Sequence, residues 1–443
     1  MHPIKEIVSK YKSGEKVGVF SVCSSNRYVI EAAMDRLKDS NLHLLIESTA
    51  NQVDQFGGYT GMKPKDFVNY IYELADKNKF PKERIILGGD HLGPLTWTNI
   101  DPKQAMKNAS ELVKAYVLAG FTKIHIDTSM PLKGDIESGI YNDDLIAKRA
   151  AELCKVSEEA YSDLLKSDKT AVHPVYVIGS EVPIPGGAQV SDEEEEGISV
   201  TKIENFKTTI ETFKAEFKAF GIEDAWDYIV GIVVQPGVEF SSDFVWGYKR
   251  DKASSLTEAL SDYPELVFEA HSTDYQSPKA LREMVEDGFS ILKVGPALTF
   301  GFREGAFALS SIENELFKYD SSIELSKFID ILDFNMAKYP KDWEKHYSGA
   351  SDKVRLERKY SLSDRCRYYM PREEVNYALE KMIENLNSIE IPITVVSQFM
   401  HNQYKKIRDG EMKLTAVDLL KDRIGEYIDD YIYAVTNKAQ SNK

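Results

Sequence analysis

Short apolar runs alternate with longer amphipathic segments along most of this chain. Each run is rich in Val, Ile, Leu or Phe and is followed by polar or glycine-containing residues. The eight runs are Lys16–Val22, Leu42–Ile46, Arg84–Leu87, Lys123–Ile126, Val175–Ile178, Ile229–Val234, Leu266–Phe268 and Ser290–Val294. Continuous apolar runs of this length predict strands of a parallel sheet that is buried on both faces.

Helical periodicity separates most of these runs. The predicted helices are Tyr28–Leu37, Pro64–Lys77, Pro102–Leu118, Asn142–Cys154, Thr201–Phe220 and Pro278–Glu286. Strands that alternate with helices pair in parallel through right-handed crossovers. Eight such units over about 300 residues favour an α/β fold of the (β/α)8 type, a TIM barrel. An open doubly wound sheet is the alternative, although no GxGxxG motif follows the first strand.

The pattern becomes largely helical after Gly305. We predict helices there over Ala306–Phe317, Ile323–Lys338, Arg372–Asn385 and Lys413–Tyr433, with turn-like stretches at Tyr339–Asp352 and Ile389–Pro392. We therefore divide the chain into a barrel over residues 1–305 and a helical C-terminal extension over residues 306–443 that packs on the barrel. The acidic run Asp192–Glu196 is predicted to lie in a solvated insert.

Composition narrows the class of protein. The chain has 443 residues with 42% hydrophobic and 28% charged residues, an ordinary globular balance. Its net charge of −16 argues against nucleic acid or an anionic membrane as a partner. We find no apolar run long enough to span a bilayer and no signal-peptide core. Three cysteines without CxxC spacing fit a reducing compartment, so we expect a cytoplasmic protein. We also expect it to form a homo-oligomer.

The stretch Ile85–Pro94, IILGGDHLGP, places a carboxylate beside an imidazole where the third strand ends. Asp90 offers an acid/base group and His91 a metal ligand. Barrels of this class carry their sites at the carboxyl ends of the strands. Polar residues follow the other strands in the same way: Ser21, Cys23, Ser24, Glu47, Ser48, Asn51, His125, Asp127, Glu181, Gln235, Glu269, His271, Asp274 and Lys293. Converging polar groups are costly to desolvate unless they bind something, so the set predicts a functional site.

His91, Glu181 and His271 are the candidate metal ligands. A His₂Glu set suits Zn²⁺ best, and Mn²⁺ or Co²⁺ also fits. Such a divalent metal would polarise a ketose carbonyl, while Asp90 acts as the base on a substrate hydroxyl.

Glu269 and Asp127 complete the catalytic candidates beside Asp90. For His125 we favour a structural role, because Ile124 and Ile126 alternate with it. The candidate substrate-binding residues are Ser21, Glu47, Asn51, Gln235, Asp274, Lys293, Arg303 and Arg365.

Two segments are candidates for recognising a phosphate. The run Val294–Gly301 with Arg303 offers backbone N–H groups and a guanidinium, and the basic cluster at residues 363–369 includes Arg365. No GxxxxGK[ST] motif is present, which argues against P-loop phosphotransfer.

Six segments together resemble one known family. They are Val19–Ala33 (VFSVCSSNRYVIEAA), Ile46–Met62 (IESTANQVDQFGGYTGM), Leu87–Trp97 (LGGDHLGPLTW), Tyr176–Gln189 (YVIGSEVPIPGGAQ), Lys293–Gly305 (KVGPALTFGFREG) and Tyr360–Tyr369 (YSLSDRCRYY). In combination they resemble the accessory subunits of class II D-tagatose-1,6-bisphosphate aldolase, the GatZ/KbaZ type. The resemblance spans nearly the whole chain.

This resemblance implies a TIM barrel related to the class II aldolases and a partly conserved aldolase site. Those enzymes have an Asp-His pair after strand three, with a zinc-binding His and an Asp in proton transfer, which Asp90 and His91 match. His271 matches their His after strand seven. Their third zinc ligand, a His after strand six, falls near Gln235 here, and Glu181 is the candidate that compensates.

Two functions follow from the resemblance. One is a metal-dependent 4-epimerase that interconverts tagatose- and fructose-type ketoses or their phosphates by retro-aldol cleavage and re-addition. The other is a non-catalytic subunit that stabilises a catalytic class II aldolase partner. A third interpretation, an unrelated barrel metalloenzyme such as an isomerase or hydrolase, stays open.

Overall fold

The centre of the molecule is a closed parallel barrel. The structure, a computed structural model, describes residues 1–182 and 198–436. Its strands are β1 Val19–Val22, β2 Leu44–Thr49, β3 Ile85–Leu92, β4 Lys123–Ile126, β5 Val175–Ile178, β6 Ile229–Val233, β7 Glu239–Phe240, β8 Val245–Trp246, β9 Val267–Ala270 and β10 Ile291–Val294. Eight of them close in the order β1-β10-β9-β6-β5-β4-β3-β2, and β7 and β8 form a separate antiparallel pair. The predicted (β/α)8 TIM barrel is confirmed.

Helices surround the barrel and continue beyond it. They are α1 Pro3–Lys12, α2 Arg27–Leu37, α3 Pro64–Asn78, α4 Pro102–Ala119, α5 Asp143–Ser167, α6 Ile203–Ala219, α7 Arg250–Ala259, α8 Pro278–Glu286, α9 Pro296–Phe317, α10 Phe328–Lys338, α11 Ser351–Tyr360, α12 Glu373–Asn387, α13 Ile393–Phe399, α14 His401–Arg408 and α15 Ala416–Val435. Proline in the first turn starts α3, α4, α8 and α9, where its missing N–H would have no helical partner. Asn26, Asp101 and Asn142 cap α2, α4 and α5 with their side chains.

The core has an inner and an outer layer, because successive strand residues face opposite sides of the sheet. Val19, Leu45 and Ile86 belong to the inner layer, whereas Phe20 and Ile46 belong to the outer layer beneath the helices. The inner layer also includes Ile4 and Val8 of α1. Helix α1 therefore covers the amino ends of the strands, and polar side chains gather at the carboxyl ends.

The last helix packs back against the barrel. Arg36 of α2 pairs with Asp422 of α15 at 2.6 Å, and Lys421 of α15 pairs with Asp35 of α2 at 2.7 Å. The backbone N–H of Gly18, just before β1, donates to the carbonyl of Val435 at 3.2 Å. Helix α15 thus lies in the outer ring, where it packs against α2, α8 and α9.

Helix α9 begins ten residues earlier than the predicted helix at Ala306. Its glycines misled the sequence interpretation, because Gly301 and Gly305 serve close packing within the helix and not a loop. A Cβ on Gly301 would lie 2.8 Å from the Tyr427 ring, and one on Gly305 would lie 2.8 Å from Leu420, both on α15. The predicted boundary at 305/306 falls inside α9, and the division into barrel and extension stays a prediction.

The remaining predictions concern the helix after Asn142, membrane-spanning helices and the acidic run. The predicted helix that begins at Asn142 extends to Ser167, well past Cys154. Among residues 1–182 and 198–436, we find no helix that is both long and apolar enough to cross a membrane. The acidic run Asp192–Glu196 lies outside the described residues.

Candidate metal and active site at the barrel mouth

The Gly-rich stretch around Asp90 brings three strands close together. A Cβ on Gly88 would lie 2.6 Å from the side chain of Glu47 on β2, and one on Gly93 would lie 1.7 Å from the carbonyl oxygen of Asp127. His91 has a φ of 50°, a left-handed conformation that is uncommon and strained for a residue with a Cβ. The pairing of β3 with β4 is irregular at this point. This turn lets the neighbours Asp90 and His91 both line the mouth instead of facing opposite sides.

Three histidines at the mouth each face a carboxylate. Nδ1 of His91 lies 2.6 Å from Oδ2 of Asp127, and Nε2 of His271 lies 2.9 Å from Oε1 of Glu269. Nδ1 of the third histidine, His125, lies 3.0 Å from Oδ1 of Asp90. Each imidazole therefore has one nitrogen within hydrogen-bond distance of a carboxylate, and the second nitrogen of His91, Nε2, lies 3.8 Å from Oδ2 of Asp90.

The three imidazole rings form a nearly regular triangle. The ring centres of His91 lie 5.0 Å from those of both His125 and His271, and the last two are 5.1 Å apart. Ligand atoms of Asp90, His125, Glu269 and His271 all lie within 4.8 Å of one another. The compact group of possible metal ligands thus consists of His125, His271, Asp90 and Glu269, and His91 adjoins this group through its ring contacts.

A chain of buried ion pairs crosses the floor of the mouth. Nζ of Lys123 lies 2.6 Å from Oε1 of Glu47 and 2.7 Å from Oε2 of Glu269. Nζ of Lys293 contacts Oε2 of Glu47 and lies 2.7 Å from Oδ1 of Asp90. Alternating charges thus connect Asp90 to Glu269 through two lysines, and all five side chains are almost completely buried.

The electrostatics of the floor keep the carboxyl groups ionised. Burial acts to raise the pKa of Asp90, but the charge of His91 and the contact with His125 hold the pKa well below its usual range. Burial likewise opposes ionisation of Glu269, but Lys123 and His271 lower its pKa to about 2. Burial acts to lower the pKa of His91, yet Asp90 and Asp127 outweigh it and raise the pKa to about 9.

The residues present fit a bound metal. Nε2 of His125 is buried and has no hydrogen-bond partner within the described part of the chain, and a buried polar atom of this kind is costly unless it binds something. Carboxylates that orient histidine rings are the usual outer partners of metal-binding imidazoles. The ligand set of three imidazoles with nearby carboxylates suits Zn²⁺, Mn²⁺ or Co²⁺.

Above this floor, side chains from loops and from the C-terminal segment form the wall of a pocket. The pocket lining includes Cys23, Thr49, Asn51, Gln52, Tyr59, Asp90, His91, Phe240, His271, Asp274, Lys293, Arg367 and Tyr368. The rings of Tyr59 and Tyr368 meet edge to face with their centres 5.1 Å apart. The loop after β2 and the segment after α11 therefore meet over the mouth.

The structure brings eight of the sequence-predicted site residues to the floor of the mouth or its edge. Asp90, His91, His271, Glu269, Asp127, Glu47 and Lys293 form the network described above, and Ser21 lies beside Lys293 in the strand pairing and 3.4 Å from the Cys23 sulfur. Asn51 is exposed at the rim. The functional roles assigned to these residues stay predictions.

Asp274 lies at the rim but is engaged with the backbone. Its Oδ1 accepts hydrogen bonds from the N–H groups of Gly295 and Ala297, at 3.0 and 2.8 Å, where α9 begins. Burial outweighs these bonds and raises the pKa of Asp274 to about 6. The Asp274 carboxylate thus occupies two backbone N–H donors of Val294–Gly301, the segment that was predicted to bind a phosphate.

Four predicted site residues have other partners. Glu181 accepts hydrogen bonds from Thr201 and Asn205, at 2.6 Å each, and Gln235 accepts from the backbone N–H groups of Gly237 and Val238.

The two predicted arginines are likewise engaged elsewhere. Arg303 is buried on α9, paired with Asp364 at 3.1 Å and stacked on Phe300. Nη2 of Arg365 lies 3.1 Å from Nδ1 of His346.

Sequence reasoning gave no site role to Lys123 and Arg367, and it favoured a structural role for His125, although all three lie at the mouth. Lys123 and His125 are separated by two positions on β4, so their side chains face the same side of the sheet, while Ile124 and Ile126 pack in the outer layer. The same alternation that suggested a structural role for His125 places it inside the mouth. Arg367 lies in a short 3₁₀ helix at Arg365–Tyr368, and its neighbour Arg365 was chosen in its place.

The fold and the site together define the class of this protein. It is a closed (β/α)8 barrel whose histidine–carboxylate pairs lie at the carboxyl ends of the strands, where barrels of this class carry their functional sites. Within that class, the chain belongs to the family of D-tagatose-1,6-bisphosphate aldolase subunit GatZ/KbaZ-like proteins, whose model matches residues 4–436. The resemblance seen in the sequence is thereby confirmed.

One solved structure is similar to this chain over nearly its whole length. The crystal structure of a probable tagatose 6 phosphate kinase from Sinorhizobium meliloti 1021 is 40% identical, with a TM-score of 0.84 over 94% of this chain and 100% of that one. A fructose-bisphosphate aldolase from Campylobacter jejuni is 14% identical, with a TM-score of 0.41 over 88% of this chain and 95% of that one. The second similarity is too distant to inform function.

Proposed function

We propose that this protein is a metal-dependent enzyme of ketohexose metabolism, a 4-epimerase that interconverts tagatose- and fructose-type ketoses or their phosphates. The observation that supports it best is the triangle of three carboxylate-paired imidazoles directly beside the ionised Asp90. The name of the similar Sinorhizobium meliloti protein refers to a tagatose phosphate, which fits the same class of substrate.

Each residue of the floor has a part in this reaction. His91, His125 and His271 would hold a divalent metal, which when bound supplies Lewis-acid polarisation of the substrate carbonyl. Asp90 accepts the proton of the C4 hydroxyl as the C3–C4 bond breaks, and the electron pair of that bond passes to the ketose-derived fragment. The aldehyde fragment turns, the C3–C4 bond forms on its other face, and Asp90 returns the proton to the C4 oxygen.

The lysines and outer carboxylates position these groups. His91 and His125 keep Asp90 in its ionised form, and the contacts with Lys293 and His125 fix its orientation. Asp127 and Glu269 hold the rings of His91 and His271, so their contribution is to geometry. Zn²⁺ is our first choice of metal, with Mn²⁺ and Co²⁺ as alternatives.

The test combines metal analysis of the purified protein with a fructose/tagatose interconversion assay, with and without a phosphate on the sugar. Asp90→Asn should retain folding and lower the turnover by roughly 100-fold or more, the usual loss when an acid/base group is removed. Asp39→Asn, at an exposed position, is the matched control. A protein that binds no divalent metal and converts no ketose would overturn the proposal.

The second candidate function is that of a non-catalytic subunit supporting a class II D-tagatose-1,6-bisphosphate aldolase. Two points favour it: the family is described as an aldolase subunit, and Gln235, which the resemblance places near the third aldolase histidine, accepts hydrogen bonds from its own loop. In this case the chain forms a stable complex with a catalytic aldolase, and Asp90→Asn supports the partner as well as the unchanged protein does. Loss of that support in Asp90→Asn would count against this candidate.

We further propose that the protein is cytoplasmic and forms a homo-oligomer. The native mass of the purified protein tests its assembly.

A further inference from the structure

We propose that Arg367, which the segment after α11 carries over the mouth, is the phosphate receptor of this pocket. It would select a ketohexose whose phosphate ester lies at the end remote from the reacting carbonyl. This inference rests on the proposed function and deepens it by naming the substrate class.

The first support is the charge balance of the pocket. Each carboxylate of its floor has a lysine partner: Glu47 lies between Lys123 and Lys293, Asp90 contacts Lys293, and Glu269 contacts Lys123. Arg367 lines the same pocket and forms no ion pair within residues 1–182 and 198–436, although the nearby carboxylates of Asp364 and Asp274 act on its charge. An anionic ligand can therefore contact the guanidinium without displacing an ion pair.

The second support is the way in which Arg367 is held. Its Nη1 donates to the carbonyl oxygens of Ser363 and Asp364, and its Nη2 lies 3.1 Å from the hydroxyl of Tyr368. The guanidinium lies 4.6 Å from the centre of the Tyr368 ring. These partners are uncharged, so they fix the position of the guanidinium without forming an ion pair with it. A preorganised arginine is suited to bind phosphate through several parallel hydrogen bonds.

The third support is that another common phosphate position of such barrels is occupied. Barrels of this class frequently bind phosphate at the loops after the last two strands and at the start of the next helix. Here the carboxylate of Asp274 accepts the N–H groups of Gly295 and Ala297 at the start of α9. A phosphate would have to displace that carboxylate, whereas Arg367 lines the same pocket without an ion-pair partner among the described residues.

Neighbouring donors complete the receptor. Asn51 and Tyr59 line the pocket with Arg367 and come from the loop after β2. The contact between Tyr59 and Tyr368 joins that loop to the segment carrying Arg367. A phosphate bound here would sit above the floor, with the sugar extending down towards Asp90 and the histidines.

The test measures binding to the metal-loaded, full-length protein by calorimetry and does not require turnover. The probes are fructose 6-phosphate, fructose and a hexuronate, whose carboxylate is the other common anion of a sugar. We expect the protein to bind fructose 6-phosphate at least about 10-fold more tightly than the other two. Arg367→Gln should lose about 10- to 100-fold in affinity for fructose 6-phosphate, the range for a charged hydrogen-bond partner, and little for fructose.

Two further variants make the result decisive. Arg355→Gln removes an equal charge from the exposed face of α11 and should bind fructose 6-phosphate unchanged. Arg367→Lys keeps the charge in a similar volume, so it should fold and retain part of the preference for phosphate even if Arg367→Gln does not fold.

The outcomes separate this inference from the proposed function. Equal affinity for fructose and fructose 6-phosphate, stronger binding of the hexuronate, or unchanged phosphate affinity in the folded Arg367 variants would each overturn the assignment. Absence of epimerisation together with Arg367-dependent phosphate binding would refute the proposed reaction while supporting the receptor.

Discussion

Nδ1 of His91 lies 2.6 Å from Oδ2 of Asp127, the shortest of the three imidazole–carboxylate contacts at the mouth. His91 lies on β3 and Asp127 directly follows the neighbouring strand β4, and Asp127 is itself held by the N–H and hydroxyl groups of Ser129. The ring of His91 is therefore fixed before any ligand arrives, which lowers the cost of binding a metal.

We expect Asp127→Asn to weaken metal binding by about 10- to 100-fold, because the amide cannot hold the His91 ring with the same charge. Competition with a chromogenic chelator measures the affinity. Asp163→Asn on the exposed face of α5 is the control and should bind metal as the unchanged protein does. Equal affinities in the two variants would show that Asp127 has no part in orienting His91.

Replacing His125 distinguishes a ligand from a structural histidine. His125→Gln should lower the metal content of the purified protein to a small fraction of one ion per chain, because the triangle of imidazoles loses a corner. Elemental analysis by mass spectrometry gives the content, and His401→Gln, at an exposed position on α14, is the comparison. Full metal occupancy in a folded His125→Gln protein would return His125 to the structural role first expected.

The buried Lys123 is predicted to be essential for stability. Lys123→Met leaves the carboxylates of Glu47 and Glu269 buried without the ammonium between them, and breaking a buried pair in this way typically costs about 3–5 kcal/mol. Urea unfolding measures the change in the free energy of unfolding. Adding Glu269→Gln to Lys123→Met should recover part of the loss, and purely additive effects of the two changes would contradict this coupling.

Acid should destabilise the amino-terminal cover of the barrel. Burial, reinforced by the charge of His43, lowers the pKa of His2 from its ordinary 6.5 to about 4, and Nδ1 of His2 accepts the N–H of Ile4 at the start of α1. A depressed histidine pKa stabilises the fold above pH 6.5, and this stabilisation is lost as the pH falls towards 4. By pH 5 the loss from this group amounts to about 2 kcal/mol.

The variant His2→Asn tests this pH dependence, because asparagine caps a helix well and does not titrate. We expect the drop in unfolding free energy between pH 7 and pH 5 to be smaller in His2→Asn than in the unchanged protein. The same drop in both proteins would assign the acid sensitivity to other groups.

The sequence predicted strands β4 and β5 with the same bounds that the structure shows. A continuous apolar run between polar segments leaves little freedom, because a strand buried on both faces needs that composition. The glycines of α9 were harder, since their use depends on how closely α15 approaches, and α15 lies more than a hundred residues later in the chain.

The positions of site residues that lie on strands could be predicted from the sequence, whereas the positions of those in loops could not. Asp90 and Glu269 lie on strands that must reach the mouth, so the barrel alone brings them together. Glu181 lies beyond the end of β5, and its side chain turned to Thr201 and Asn205 in a way that no local pattern determines. The choice between Arg365 and Arg367 depended on the turn of a short 3₁₀ helix, which sets the direction of each side chain.

Helix α15 lies against α2 and α8, and its last residues bond to the chain just before β1. On a ribosome, the first strand of the barrel emerges long before the helix that covers its outer side. The apolar outer surface of β1 and α2 therefore stays uncovered until α15 has also been synthesised. An intermediate with this surface exposed is prone to aggregation, so a chain that lacks α15 should depend on chaperones to stay in solution.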